Sequence, residues 1–274
     1  MKRLFLLLLI FATIHAEFLI ERVDVTISDI ADDGSAKVHE SIKFVMFGDY
    51  ASSVYDSGFT QNELSFWSVS TGLKDVKLHL NPSSVDIQDL RVRPQPRTKC
   101  NPIQGICHGE LILDYSAYPA FKNNDTLEPS PGTGIFTVEK YKPRTRRYTI
   151  NPAALAFTTT ADGNIILDED VHLTIEMPPE SVTQDINPQP ADSNIHLPAE
   201  VGSLSWTDMV LVKFSLIFEV EDSIDKEVSD FFGGILRGVS QSFGGPHGYA
   251  LIALVVALIG SFVYITVAKR RGEE

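Results

Sequence analysis

The chain has 274 residues, 43% of them hydrophobic, two cysteines and a formal net charge of −13. Such acidity confers solubility and repels phosphate backbones, so it argues against a nucleic-acid partner. The length allows one large or two small hydrophobic cores.

In chain order, residues 1–16 carry Lys2 and Arg3, an apolar run from Leu4 and a small residue at Ala16. This is the layout of a secretory signal, too short to span a bilayer comfortably, and cleavage is expected near Ala16. Ile14 and His15 make an imperfect cleavage site, which leaves an uncleaved N-terminal anchor as the alternative. From Phe18, apolar Ile20, Val23, Val25 and Ile27 are interleaved with polar residues, the pattern of a half-buried strand. Asp32, Asp33, Gly34 and Ser35 supply a turn, and Val38, Ile42, Phe44 and Met46 continue the alternation, so the two runs predict a hairpin. Further short strands are predicted at 64–69, 76–80, 85–92 and 109–115, with no sustained helical periodicity before Asp222.

Cys100 and Cys107 bracket Pro102 and Gly105, which suit a reversing loop. An even cysteine count at close spacing in an exported chain predicts one disulfide at a hairpin tip. The segment 118–134 is rich in proline, asparagine and glycine and reads as a linker or long loop. Within it Asn124, followed by Asp125 and Thr126, fits the N-glycosylation acceptor pattern.

Strands are predicted to resume at 135–140, 147–150, 155–159, 164–167 and 171–177. The proline-punctuated stretch 178–200 reads as a surface excursion. The alternation at 209–221 predicts one long final strand, with Trp206 before it as a core anchor. Taken together, the pattern predicts an all-β fold with two tandem β-sandwich subdomains, 17–128 and 133–222, a single mixed sandwich being the alternative.

After residue 222 the period changes. Ile224, Val228, Phe231, Phe232, Ile235, Val239 and Phe243 fall on one helical face, which predicts an amphipathic juxtamembrane helix at 223–243. Gly233, Gly234 and Gly238 each cost such a helix about 1 kcal/mol relative to alanine, so it needs an apolar partner. Phe231, Phe232, Ile235 and Val239 are the expected membrane-interface residues, with packing on the sandwich as the alternative. Residues 249–268 contain no charge and match the bilayer's hydrocarbon thickness as a transmembrane helix. Lys269, Arg270 and Arg271 follow at once, so the short tail 269–274 is expected in the cytoplasm and the rest of the chain outside, in a single-pass type I arrangement. Ala253, Ala257 and Ser261 form a small-residue stripe that permits lateral self-association within the lipid bilayer.

Catalytic motifs are absent: there is no HExxH, GxSxG, phosphate-binding loop or dinucleotide fingerprint. The expectation is a non-enzymatic protein without cofactor or metal. Asp162, Asp168, Glu169 and Asp170 flank a short strand without the spacing of a calcium loop, and read as exposed turn and edge residues. Lys140, Lys142, Arg144, Arg146 and Arg147 form a basic cluster in an acidic chain. Such a cluster can receive an acidic glycan, a headgroup or a neighbouring protomer; alternatively, and preferred here, it is a strand edge whose charges deter pairing.

The stretch DGSAKVHESIKF at 33–44 resembles the opening of a group of uncharacterised prokaryotic membrane-anchored proteins with exported β-sandwich regions. SLSWTDMVLVKFSLIFEVE at 203–221 is similar to the way such regions close. The resemblance implies a membrane-attached extracellular sandwich and hands over no catalytic residues. GGPHG, the apolar span and KRR also resemble, without a recognised signature, the tails processed by sortase-like transpeptidases. The functional expectation is binding or structural display at the cell surface, with an envelope protein or glycan as partner. The alternative is an accessory subunit of a membrane-embedded glycosylation, export or processing complex.

Overall fold

The computed structural model of the protein describes residues 17–120, 133–142, 144–191 and 193–222. The predicted signal, Asn124, the amphipathic segment with Phe231, Phe232, Ile235 and Val239, and the span with Ala253, Ala257 and Ser261 lie outside these residues. Among the described residues no helix is long and apolar enough to cross a membrane.

Strands β1 (Glu17–Ser28) and β2 (Ala36–Phe47) form the predicted hairpin, paired from Glu17 opposite Phe47 to Ser28 opposite Lys37 with a register shift between Ile20 and Arg22. In the turn, Gly34 has φ +83°, and a Cβ there would meet the carbonyl oxygen of Phe136. Glycine is required both for its left-handed backbone and for this close approach. The strands' inward residues Val23, Val25, Ile27, Ile42, Phe44 and Met46 are all buried.

Two helices follow where no helix is expected: α1 (Gly48–Ser57) and α2 (Leu64–Thr71). The apparent alternation at 64–69 is misleading because only Trp67 and Thr71, one helical turn apart, are buried in α2. Trp67 packs 5.3 Å from the Tyr55 ring of α1, and this tertiary contact selects helix over strand. The predicted strand at 76–80 is a loop segment that touches the sheet system through an isolated bridge between Leu80 and Leu155.

Strands β3 (Val85–Pro94) and β4 (Thr98–Asn101) both pair with β5 (Ile106–Pro119), one after the other along its edge. A second hairpin comprises β6 (Phe136–Lys142) and β7 (Thr145–Ile150). After a short 3-10 turn come β8 (Thr158–Thr159), β9 (Ile165–Glu176) and β10 (Ser181–Asn187). The chain then forms β11 (Ala199–Glu200), β12 (Ser203–Leu211) and β13 (Ser215–Glu221).

These strands make two sheets. The larger runs β12-β9-β1-β2-β5-β3, with β8 added on β9 and β4 on β5; the smaller runs β11-β10-β13-β7-β6. The all-β expectation therefore holds, but the division into tandem sandwiches at 128–133 does not. Strands β9 and β12 come from beyond that boundary yet extend the sheet begun by β1 and β2, β9 lying parallel to β1. The described residues up to Glu221 form one unit, and one cluster of buried residues includes inner faces of both sheets. Parallel pairing of distant strands needs a long crossover, and the whole of β2 to β8 serves as one here.

Three further elements differ from the predicted strands. The runs 164–167 and 171–177 form one strand, β9, rather than two. The supposed surface excursion contains β10, whose inward residues include Ser181 and Thr183, so polar side chains conceal the alternation. The predicted single strand at 209–221 breaks between β12 and β13, where Lys213 has φ +50°. Leu211 and Phe214, three positions apart, would face opposite sides of one strand; the turn buries both. Phe214 then packs edge-on against the fully buried Trp206, whose Nε1–H donates to the Pro188 carbonyl at 2.9 Å.

Candidate functional site

The outward residues of the larger sheet form cross-strand rows, because period-two alternation and register together fix which side chains are neighbours. One row runs Ser205, Thr174, Thr26, His39, Asp114 and Arg91 across β12, β9, β1, β2, β5 and β3. The next begins Thr207, His172 and Asp24 and reaches Arg93. The face is thus rich in hydroxyl, imidazole and charged groups.

At the β2-β5-β3 side of this face lies a cleft of about 500 Å³, lined by Lys37, His39, Asp89, Arg91, Arg93, Asp114 and neighbours. Strand β3 carries a register shift between Gln88 and Arg91, and Asp89 within it has φ +56°. Such a bulge re-aims side chains and commonly sits beside a functional surface.

The cleft is organised by Asp114. His39 Nδ1 lies 2.7 Å from its Oδ1, and Arg93 Nη2 donates to its Oδ2. Partial burial alone would raise the Asp114 pKa, but the hydrogen bonds and charges of His39 and Arg93 outweigh burial and hold it below the ordinary carboxylate value. Asp114 therefore remains an ionised clamp that orients both neighbours. Among the described residues, every other lysine and arginine of β1, β2 and β3 holds a carboxylate: Arg22 and Lys43 hold Asp24, Lys37 holds Asp29 and Arg93 holds Asp114. Arg91 is exposed and has no side-chain partner among them.

Directly beneath, the inner face carries a second carboxylate cluster. Glu40 is fully buried; its Oε1 accepts the His79 backbone N–H at 3.0 Å and the Tyr115 hydroxyl at 2.5 Å, and its Oε2 lies 2.8 Å from His79 Nδ1. Burial first, then the Glu40 charge and hydrogen bond, push the Tyr115 hydroxyl far above its ordinary pKa, so it remains a donor. The cluster ties the 76–80 loop to β2 from within the core.

The other predicted residues fare differently. Cys100 and Cys107 form the expected disulfide, with Cys100 on β4 and Cys107 on β5 and Gly105 at φ +65° in the loop between them. At that tip Ile103 is 95% exposed. The basic cluster lies on the β6-β7 hairpin and is largely compensated locally. Arg147 sits 2.6 Å from Glu219, Arg146 2.5 Å from Asp32 and Arg144 3.4 Å from Glu221, while Lys142 reaches Glu219 at 4.0 Å. The Arg147 guanidinium also stacks 3.4 Å from the Tyr141 ring centre. Lys140 and Lys142 occupy β6, the edge strand of the smaller sheet. Among the described residues no group of three or more histidine, cysteine, aspartate or glutamate side chains is arranged to hold a metal ion.

Sequence patterning missed the cleft. It places His39 on a strand, but nothing in the linear pattern brings Asp114 and Arg91 beside it, because register depends on turns and bulges.

No family model matches the chain, and no curated protein matches it. Among solved structures the chain is similar to native leukotriene A4 hydrolase from Saccharomyces cerevisiae, with a TM-score of 0.31 and 11% identity over 74% of this chain and 28% of that one. A structure of native yeast LTA4 hydrolase matches with a TM-score of 0.29 and 11% identity over 75% of this chain and 29% of that one. The yeast enzyme in complex with bestatin gives a TM-score of 0.29 and 11% identity, covering 74% and 29%. The chain spans less than a third of the length of these proteins, and a likeness at this level assigns neither fold family nor activity.

Proposed function

We propose that this protein is a non-enzymatic, single-pass membrane-anchored extracellular β-sandwich protein that binds or displays at the cell surface. The observation that carries the reading is the Cys100–Cys107 disulfide, a bond that persists in oxidising compartments outside the cytoplasm. The apolar run at 249–268 with its basic stop supplies the anchor and the orientation, and the resemblance of residues 33–44 supports the same class. The polar outer face of the larger sheet is the binding surface in this reading, with an envelope glycan or protein as partner. Ala253, Ala257 and Ser261 support lateral association in the bilayer. The test is protease added to intact cells expressing the full chain: the body should be degraded while a tag on the C-terminal tail stays protected. Digestion of the tail with survival of the body would overturn the orientation.

The exposed Ile103, with Leu19 and Tyr50 also prominently exposed, favours a second reading as an accessory subunit of a membrane-embedded complex. In that case, changing both Phe231 and Phe232 to serine should release a co-purifying partner, whereas the display reading predicts no lost partner.

A further inference from the structure

We infer that the cleft at His39, Arg91, Arg93 and Asp114 binds a carboxylate, as borne by the hexuronic-acid units of an acidic glycan. The inference rests on the outer face being a binding surface, and it names the ligand chemistry of that surface. The first support is Arg91, whose guanidinium offers five N–H donors and no acceptor and has no side-chain partner among the described residues. A planar guanidinium fork matches a carboxylate in bidentate geometry, which a lysine cannot reproduce. Arg91 is in cross-strand register with Asp114, and Asp114 with His39, so these side chains lie within roughly 10 Å of one another.

The second support is the donor surplus. Asp114 takes one donor from Arg93 and the Nδ1–H of His39, leaving further guanidinium N–H groups of Arg93 that Asp114 does not engage. Ser28, Ser116 and Lys37 also line the cleft, the Lys37 ammonium being held by Asp29. Asp114 is shared between two partners, so its charge is offset where the ligand would sit, and the clamp fixes both before any ligand arrives. Pre-placed donors spare the ligand the cost of ordering them.

The third support selects a glycan. The row through His39 continues as Thr26, Thr174 and Ser205, a line of hydroxyls, half-buried at the first two and exposed at Ser205, that offers polar contacts to successive sugar units. Asp24 and Glu110 elsewhere on the face, together with the chain's net charge of −13, oppose densely charged polymers such as a phosphate backbone. A sugar polymer with carboxylates spaced along it places one of them on the Arg91 guanidinium, in a cleft where Asp89 and Asp114 offset much of the charge of Lys37, Arg91 and Arg93.

The experiment is calorimetric titration of the purified full chain with trigalacturonate, with a neutral trisaccharide and with citrate as separate arms. Trigalacturonate should bind, weaken with added salt, and lose roughly tenfold to a hundredfold in affinity in Arg91→Ala. Arg91→Lys should also weaken it, and thermal unfolding of both variants should match the parent chain. Equal binding by Arg91→Ala, or no binding by the parent chain, overturns the site. Citrate binding as tightly as trigalacturonate overturns the glycan assignment and points to a free small acid. Because the titration uses purified protein, its failure would leave the protease test of membrane orientation untouched.

Discussion

His39 and Glu40 are consecutive on β2, and Asp114 and Tyr115 are consecutive on β5, yet the histidine–carboxylate pairs they build occupy opposite faces of the larger sheet. On the inner face Glu40 has both oxygens engaged by His79 and Tyr115, and all three residues are buried. On the outer face Asp114 is gripped just as directly, but His39 is 48% exposed at its side chain and Arg91 stands beside the pair with free donors. The same functional groups are therefore structural on one side and available on the other. Solvent access decides which, because a buried polar cluster must be fully satisfied, whereas an exposed one can leave donors to water until a ligand replaces it.

The comparison can be broken from the inside first. Glu40→Ala leaves His79 and Tyr115 buried without their shared acceptor and should destabilise the fold by about 3–5 kcal/mol in a urea titration. A loss below about 1 kcal/mol would mean that the inner cluster does not hold the 76–80 loop. Next in size, Tyr115→Phe deletes only the hydroxyl donor and should cost roughly 1.5–3 kcal/mol, the range for a hydrogen bond to a charged group.

On the outer face the effects shrink. Asp114 has a lowered folded-state pKa, so its stabilising contribution is present above the unfolded value and is lost as pH falls through the folded one. Asp114→Asn should flatten the decline in stability below about pH 4, by no more than about 1 kcal/mol after allowing for solvent screening. Unfolding curves at pH 3 and pH 6 measure the difference; an unchanged slope would remove Asp114 from the outer pair's energetics. Smallest of all, Arg91→Ala should change stability by less than about 0.5 kcal/mol, since nothing in the described body depends on its side chain. A large loss there would turn Arg91 into a structural residue and erase the contrast between the faces.

Legibility in the sequence followed the visibility of inward side chains. The opening hairpin was readable because apolar residues such as Val23, Val25, Ile42 and Phe44 mark its inner face and Gly34 its turn. The strand β10 was hidden because Ser181 and Thr183 face inward. Helix α2 is not legible because eight residues with Trp67 and Thr71 inward admit either period until Tyr55 supplies the packing partner. The cleft was hidden for another reason: His39, Asp114 and Arg91 are ordinary outward residues on three strands, and only pairing joins them.

The sequence by itself determined the strand-rich composition of the body, its opening hairpin, the disulfide partners, which follow from there being just two cysteines, and the acidic charge that constrains its ligands. Tertiary structure alone decided that β9 and β12 join the first hairpin's sheet, that the chain turns at Lys213 into the second sheet, and that a carboxylate clamp forms beside a free arginine. Alternation specifies which face of a strand is buried, but backbone hydrogen bonding is the same for every neighbour. Partner and register are therefore settled by packing, turns and bulges across the whole body, and the candidate site exists only once they are set.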